Sequence, residues 1–183
     1  SVRRHRAEKL ARYSTDGIVD VIARAVELWT DPEYPERRLA ERLIPAVTGY
    51  DASMVRIELK WYMRMFRRRE LLRFVDDELN CPQMLDEYRP NRSGGYTRLY
   101  GPELSFHVFS SNVPGIPVWS MTMGLLTKSA ILGKSSFDEP LMPVLITRHL
   151  DFSLPYRALF SQGVRPDTVN RLLDAMVVLL ARL

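Results

Sequence analysis

Apolar residues recur every three or four positions through the first half of the chain and every second position through part of the second half. Those two periods predict helices first and strands later. Ile18, Val21, Ile22, Ala25, Val26 and Trp29 share one helical stripe behind Asp16, which reads as its cap, and Asp31-Pro32 stops it. Leu39, Leu43 and Ile44 predict a short second helix between Pro35 and Pro45. Gly49-Tyr50-Asp51 makes a turn and a cap. Beyond it Met54, Ile57, Trp61, Met65, Leu72 and Val75 keep helical phase as far as Asp77, which predicts one long third helix.

The pattern then changes. Pro82, Pro90, Asn91, Gly94 and Gly95 break the stretch from Cys81 to Gly95 into a surface loop, and Tyr96 to Tyr100 reads as a short strand or hairpin arm. Ser105 to Phe109 reads as a buried strand, Ser110 to Gly115 as a tight turn, and Ile116 to Lys128 as an apolar helix. Ala130 to Gly133 is a second short buried strand, and Pro140 to Leu150 a further helix. A strand, a helix and a strand of these lengths form a parallel βαβ unit. Ligands of such sheets sit at the carboxyl ends of the strands, so the turns after Phe109 and Gly133 should lie side by side. From Asp151 a polar start leads through Pro166-Asp167 into an apolar helix, Val169 to Leu183. Apolar residues nearly encircle it, which predicts burial in a core or against another subunit. The fold class expected is α/β. A helical N-terminal region over 1–80 packs on a small parallel βαβ region over 81–150, and a helical tail fills 151–183.

Composition narrows the function. With 46% apolar residues among 183, the chain can bury a real core. No apolar run approaches the roughly 18 residues that cross a bilayer, and the basic first residues lead into no apolar stretch, so neither a membrane span nor targeting is expected. The single cysteine excludes an intrachain disulfide framework and Cys-rich zinc sites, and fits a reducing cytoplasm. His5, His107 and His149 are too scattered for ligand spacing, so no metal is expected. A net charge of +4 allows a polyanionic partner or a phosphate-rich cofactor.

Few residues carry candidate chemistry. Asn112 sits in the first turn beside Pro114 and Gly115. Its amide either donates to a developing oxyanion or bonds its own turn. Lys134, leaving the second strand with Ser135 and Ser136, either reaches a nucleotide ribose or phosphate or stays solvated. No Gly-x-Gly-x-x-Gly or P-loop sequence occurs. His107 reads as a satisfied strand side chain, and Cys81 as a cysteine without an acid or base partner. Arg64, Arg67, Arg68, Arg69 and Arg73, interleaved with Trp61, Tyr62 and Phe66, read either as a solvated helix paired with Glu70, Asp76, Asp77 and Glu78 or as a polyanion surface. On one continuous helix Arg67 to Arg69 span about 200 degrees and share no face.

Two stretches, Ser105-Phe-His-Val-Phe-Ser-Ser-Asn-Val-Pro-Gly-Ile-Pro117 and Leu126-Thr-Lys-Ser-Ala-Ile-Leu-Gly-Lys-Ser-Ser136 followed by Glu139-Pro140-Leu141, resemble the acyl-CoA reductases related to the fatty acid reductase of bacterial bioluminescence. More distantly they are similar to the aldehyde dehydrogenase pattern of an Asn-x-Pro turn, a helix and an apolar strand ending in lysine. Trp29-Thr-Asp-Pro32, Leu43-Ile-Pro45, Thr48-Gly49-Tyr50 and Met54-Val55 look like the helical N-terminal region of the same reductases, so the resemblance covers about residues 10 to 150.

The resemblance implies that Asn112 stabilises the oxyanion, that Phe109, Ser110 and Ser111 line the cofactor site, and that Lys134, with Ser136 as a further donor, approaches the adenosine ribose of NADPH or NADH. It also implies an acyl-CoA or other acyl thioester substrate, attacked by a cysteine thiolate and reduced to an aldehyde. Three departures qualify it. Cys81 precedes the cofactor turns, Phe137 stands near the position of a usual acid, and the similarity fades after Leu150.

The expectation is therefore a truncated reductase that lacks the catalytic domain and associates with itself or with a completing chain. The rival readings are a non-catalytic nucleotide-fold module for assembly or regulation, and a basic helical protein binding nucleic acid, the less expected partner.

Overall fold

The computed structural model describes residues 6–110, 113 and 115–147. The predicted helix from Val169 to Leu183, with the rest of 148–183, lies outside the described residues, as do Ser111 and Asn112.

Helix α1, Thr15–Thr30, forms where the stripe predicts it and buries Ile18, Ile22, Val26 and Trp29. Its cap is Ser14 rather than Asp16, because the Ser14 hydroxyl accepts from the Gly17 N–H at 3.0 Å. Asp16 instead lies in the first turn, where a carboxylate favours the helix dipole. Helix α2, Pro35–Thr48, does not stop at Pro45 but carries it and ends at Gly49, whose φ of 75° suits glycine. A proline so close to the end removes only one backbone bond, which the last turn tolerates.

The predicted long third helix is two helices. Helix α3, Ala52–Met63, is capped by Asp51, which accepts from the Ser53 and Met54 N–H groups. A 3₁₀ turn, Arg64–Phe66, and an extended Arg67 at φ −64° and ψ 150° separate it from helix α4, Arg68–Leu79. The buried stripe also differs from the predicted one. Val55, Leu59, Met63 and Phe66 face the core, while Met54, Ile57, Trp61 and Met65 face outward. Two apolar stripes run along α3, and the break at Arg67 resets the phase so that Phe66, Leu71 and Val75 can all enter one core.

Strand β1, Arg89–Pro90, within the expected loop, pairs antiparallel with β2, Tyr96–Thr97, which begins the expected hairpin arm. Strand β3, Leu104–Val108, pairs in parallel with β4, Ala130–Lys134, from Leu104 opposite Ala130 to Val108 opposite Lys134. Helix α5, Ile116–Leu126, connects them, and α6, Leu141–Thr147, follows. The architecture is thus mixed, with helices and a small parallel two-stranded sheet among the described residues, compatible with the expected α/β class.

The expectation of a buried β3 needs correction. Phe106 and Val108 are 60% and 67% exposed, while His107 on the opposite side faces α5. Period-2 alternation sends successive side chains to opposite faces, and α5 covers only one of them.

One core runs through helices and strands alike, joining Ile18, Trp29 and Ile44 to Phe109, Val118, Met142 and Ile146. Phe66 and Phe74 flank Trp119 of α5 at ring separations of 5.5 and 4.9 Å. A polar tie reinforces the junction. Asp86 accepts from the Thr15 N–H and hydroxyl at 3.0 Å and from the Lys128 ammonium at 2.5 Å.

Candidate functional site

The parallel register places the ends of β3 and β4 side by side, as the sequence implied. The Phe109 N–H donates to the Lys134 carbonyl at 3.0 Å and extends the ladder one step past Val108. Glycine at 133 makes this closeness possible, since a Cβ there would come within 2.5 Å of the Phe109 ring. Phe109 is therefore buried under the strand end, Ser110 is exposed beside it, and Lys134, Ser135 and Ser136 leave β4 half-buried on the same edge. Lys134 makes no ion pair with a carboxylate among the described residues.

The turn between Ser110 and α5 is gripped from the helical side. Val113 and Gly115 pack against Val55, Leu59, Tyr62 and Met63 of α3. The Tyr62 ring lies so close to Gly115 that a Cβ there would fall 2.2 Å from it. Burial pushes the Tyr62 hydroxyl above its ordinary range. The Val113 carbonyl accepts from Ile116 at 3.2 Å, and the Gly115 carbonyl from Val118 at 3.0 Å, so the chain enters α5 at once. Ser111 and Asn112, the candidate amide donor among them, fall outside the described residues.

The structure adds a group that sequence reasoning did not single out. Glu139 is buried, and one of its carboxylate oxygens accepts from the Leu141 and Met142 N–H groups at 3.0 and 2.9 Å. It therefore caps α6, while its other oxygen has no partner. Burial outweighs those two bonds and raises the Glu139 carboxyl above its usual range. The sequence signal was an acid two residues before the first helical position, which the Pro140 beside it obscured. Ser136, by contrast, is engaged locally, its hydroxyl accepting from the Asp138 N–H at 3.2 Å.

Other candidates settle into structural roles. The His107 Nδ1 lies 2.6 Å from the Ser120 hydroxyl of α5, and burial lowers its pKa, so it stays neutral near pH 7. The Cys81 thiol lies 3.4 Å from the Gln83 side-chain oxygen at the end of the helical region. No group of three or more acidic, histidine or cysteine side chains could hold a metal, and no helix is long and apolar enough to cross a membrane, among the described residues.

Comparison with known proteins agrees with the two motif stretches. Residues 10–155 match the family described as acyl-CoA reductase (LuxC). A long-chain acyl-protein thioester reductase of Aliivibrio fischeri is 30% identical over 124 residues, covering 67% of this chain and 26% of that protein. The similarly named protein of Photorhabdus laumondii is 27% identical over 124 residues with the same coverage, and that of Vibrio harveyi 26% over 126 residues. The chain thus spans 26% of the length of these curated relatives.

Proposed function

The chain belongs to the acyl-CoA reductase (LuxC) family, and from that premise we propose that it forms the cofactor edge of an enzyme reducing a fatty acyl thioester to an aldehyde. The observation that carries this reading is the parallel register, which sets the turn after Phe109 beside Lys134 at the carboxyl edge, where open α/β sheets bind ligands. The further relation to aldehyde dehydrogenases belongs to the same proposal.

The residues on this edge fit a nucleotide cofactor by their donor chemistry. An ammonium without a carboxylate partner and two or three serine hydroxyls suit ribose oxygens and phosphates. Lys134 and Ser136 would hold the adenosine ribose of NADPH, or of NADH. Ser110 and Ser111 would flank it, with the buried Phe109 as the floor. When bound, the cofactor supplies the hydride. Asn112, three residues before the Gly115 that packs on Tyr62, would donate its amide to the oxygen that gains charge as the thioester carbonyl is attacked. Cys81 precedes both turns and bonds to Gln83, and we assign it no part in the attack.

Calorimetric titration of the 183-residue chain with NADPH tests the reading. Lys134→Ala should weaken binding by roughly tenfold, about 1.4 kcal/mol, with the circular dichroism of the chain unchanged. No binding by a folded sample would sink the cofactor edge. It would favour a nucleotide-fold module used for assembly, a second reading that the exposed Phe106 and Val108 support.

A further inference from the structure

The break at Arg67 does more than split a helix. It gathers Arg64, Arg67, Arg69 and Arg73 around one groove of about 720 Å³, with Trp61 and Met65 at its rim and Phe74 and Trp119 along its wall. On one unbroken helix Arg67 to Arg69 would share no face, whereas the break lets Arg67 and Arg69 line one groove. Arg68 alone turns away, bonding to Asp16 and Asp20 of α1 at 2.8 and 2.7 Å.

Three independent features mark the groove as a site for an anion with a planar ring. The first is charge. Four arginines face two acids, Glu70 and Asp77, and Glu70 is shared between Arg69 and Arg73 at 2.7 and 3.4 Å. Arg64 and Arg67 make no salt bridge among the described residues, and Arg67 acts on Glu70 only at longer range. The second is placement. Arg67 to Arg69 stand at the N-terminus of α4, where the dipole disfavours cations, and no side chain caps that end. A bound anion would relieve both conditions at once. The third is an exposed aromatic platform. Trp61 is 59% exposed, with the Arg64 guanidinium 4.6 Å from its ring centroid. Rings and arginines in this arrangement stack bases and grip phosphates.

We propose that this groove binds an adenosine 5′-diphosphate group with a further phosphate on its ribose, which coenzyme A carries on the 3′ oxygen and NADP(H) on the 2′ oxygen, and that coenzyme A is its occupant. The choice of coenzyme A rests on the proposed function, which gives the strand edge to NADPH and leaves a second adenine nucleotide to be held. The arginines take the phosphates as bidentate partners, and Trp61 takes the adenine face. The groove volume falls within the range usual for small-molecule sites.

The test titrates the 183-residue chain separately with coenzyme A and NADP⁺, following tryptophan fluorescence and heat. The variants are the pair Arg64→Ala/Arg67→Ala, Trp61→Leu and Lys134→Ala. Arg67 and Trp61 are exposed and Arg64 half-buried, so both variants at the groove should keep the circular dichroism of the parent. The expected result is at least tenfold weaker coenzyme A binding in the arginine pair and several-fold weaker binding in Trp61→Leu. Lys134→Ala should leave coenzyme A untouched, and adenosine, which lacks phosphate, should bind no better to parent than to variant.

Loss of NADP⁺ binding instead of coenzyme A binding in the arginine pair overturns the assignment of coenzyme A to the groove. Binding of coenzyme A that ignores both groove variants overturns the proposal, as does binding of single-stranded oligonucleotides with no response to coenzyme A. NADPH binding that Lys134→Ala abolishes, alongside an unresponsive groove, would leave the strand-edge reading standing alone.

Discussion

The helical half of this chain and its strand half solve the same problem to different degrees. In the helical half every buried stripe meets another one. Trp29, Ile44, Met63, Phe66 and Leu71 are fully enclosed, and the buried Arg37 is matched by Glu41 and by the carbonyls that end α1. In the strand half α5 covers one face of β3 and β4, and Phe106 and Val108 remain open on the other. Glu139 is buried there with one oxygen unpartnered. A helix can bury its stripe against two neighbours, whereas strands of a parallel sheet are usually covered on both faces. Exposed apolar side chains occur in both halves, Met54, Ile57, Trp61 and Met65 along the α3 segment as well as Phe106 and Val108 on β3, but on the strand side they leave one face of the sheet open beside the candidate site.

Substitutions can break or sharpen this contrast. The largest effect should come from Trp29→Ala, which empties the centre of the helical core and should cost about 3 to 5 kcal/mol in urea-induced unfolding. A loss near zero would mean that the helical half is not the stable one. Asp86→Asn should cost about 2 kcal/mol, because it strips Lys128 of its buried partner and weakens the grip on Thr15.

That second change also alters the pH response. Burial alone would raise the Asp86 carboxyl, but the Lys128 and Thr15 donors outweigh it and leave the group below its usual range. The stability it contributes is present above a pH of about 4 and fades as the pH falls below that. Melting temperatures between pH 2 and 5 should decline more steeply in the parent than in Asp86→Asn.

Glu139 works in the opposite direction. Its carboxyl is raised by burial, so the folded chain holds a proton that the unfolded chain releases, and stability falls as the pH rises above about 4.3. Glu139→Gln should flatten this decline while changing stability at pH 5 by less than about 1 kcal/mol. Equal slopes in the two proteins would show that the carboxyl is not held neutral. The smallest effect belongs to Phe106→Ser, on the open face of β3, where less than about 0.5 kcal/mol should be lost. A loss of several kcal/mol there would mean that something covers the sheet.

Much of the architecture was legible from periodicity. The α1 stripe, the Gly49 turn with its Asp51 cap, and the two parallel strands flanking a helix all stand where apolar spacing and breaker residues set them. The errors were also physical. Ser14 and Asp16 are both good caps two residues apart, and only the backbone path decides which hydroxyl or carboxylate meets a free N–H. Along α3 two apolar stripes compete, and counting favoured Met54, Ile57, Trp61 and Met65, the exposed one. The candidate site was half legible. The neighbouring turns followed from βαβ geometry, but the Asp86 and Lys128 tie joins residues 42 positions apart and leaves no local trace.

By itself the sequence determined which segments are helical or extended, that the two chemical turns share an edge, and which family supplies the comparison, because these depend on local periodicity and on residues close together in the chain. Only the tertiary structure decided which stripe of α3 is buried, where the helix breaks, and that four arginines surround one groove. Those outcomes depend on how Phe66, Leu71 and Trp119 compete for one enclosed volume, and packing of that kind is settled between distant segments rather than along any one of them.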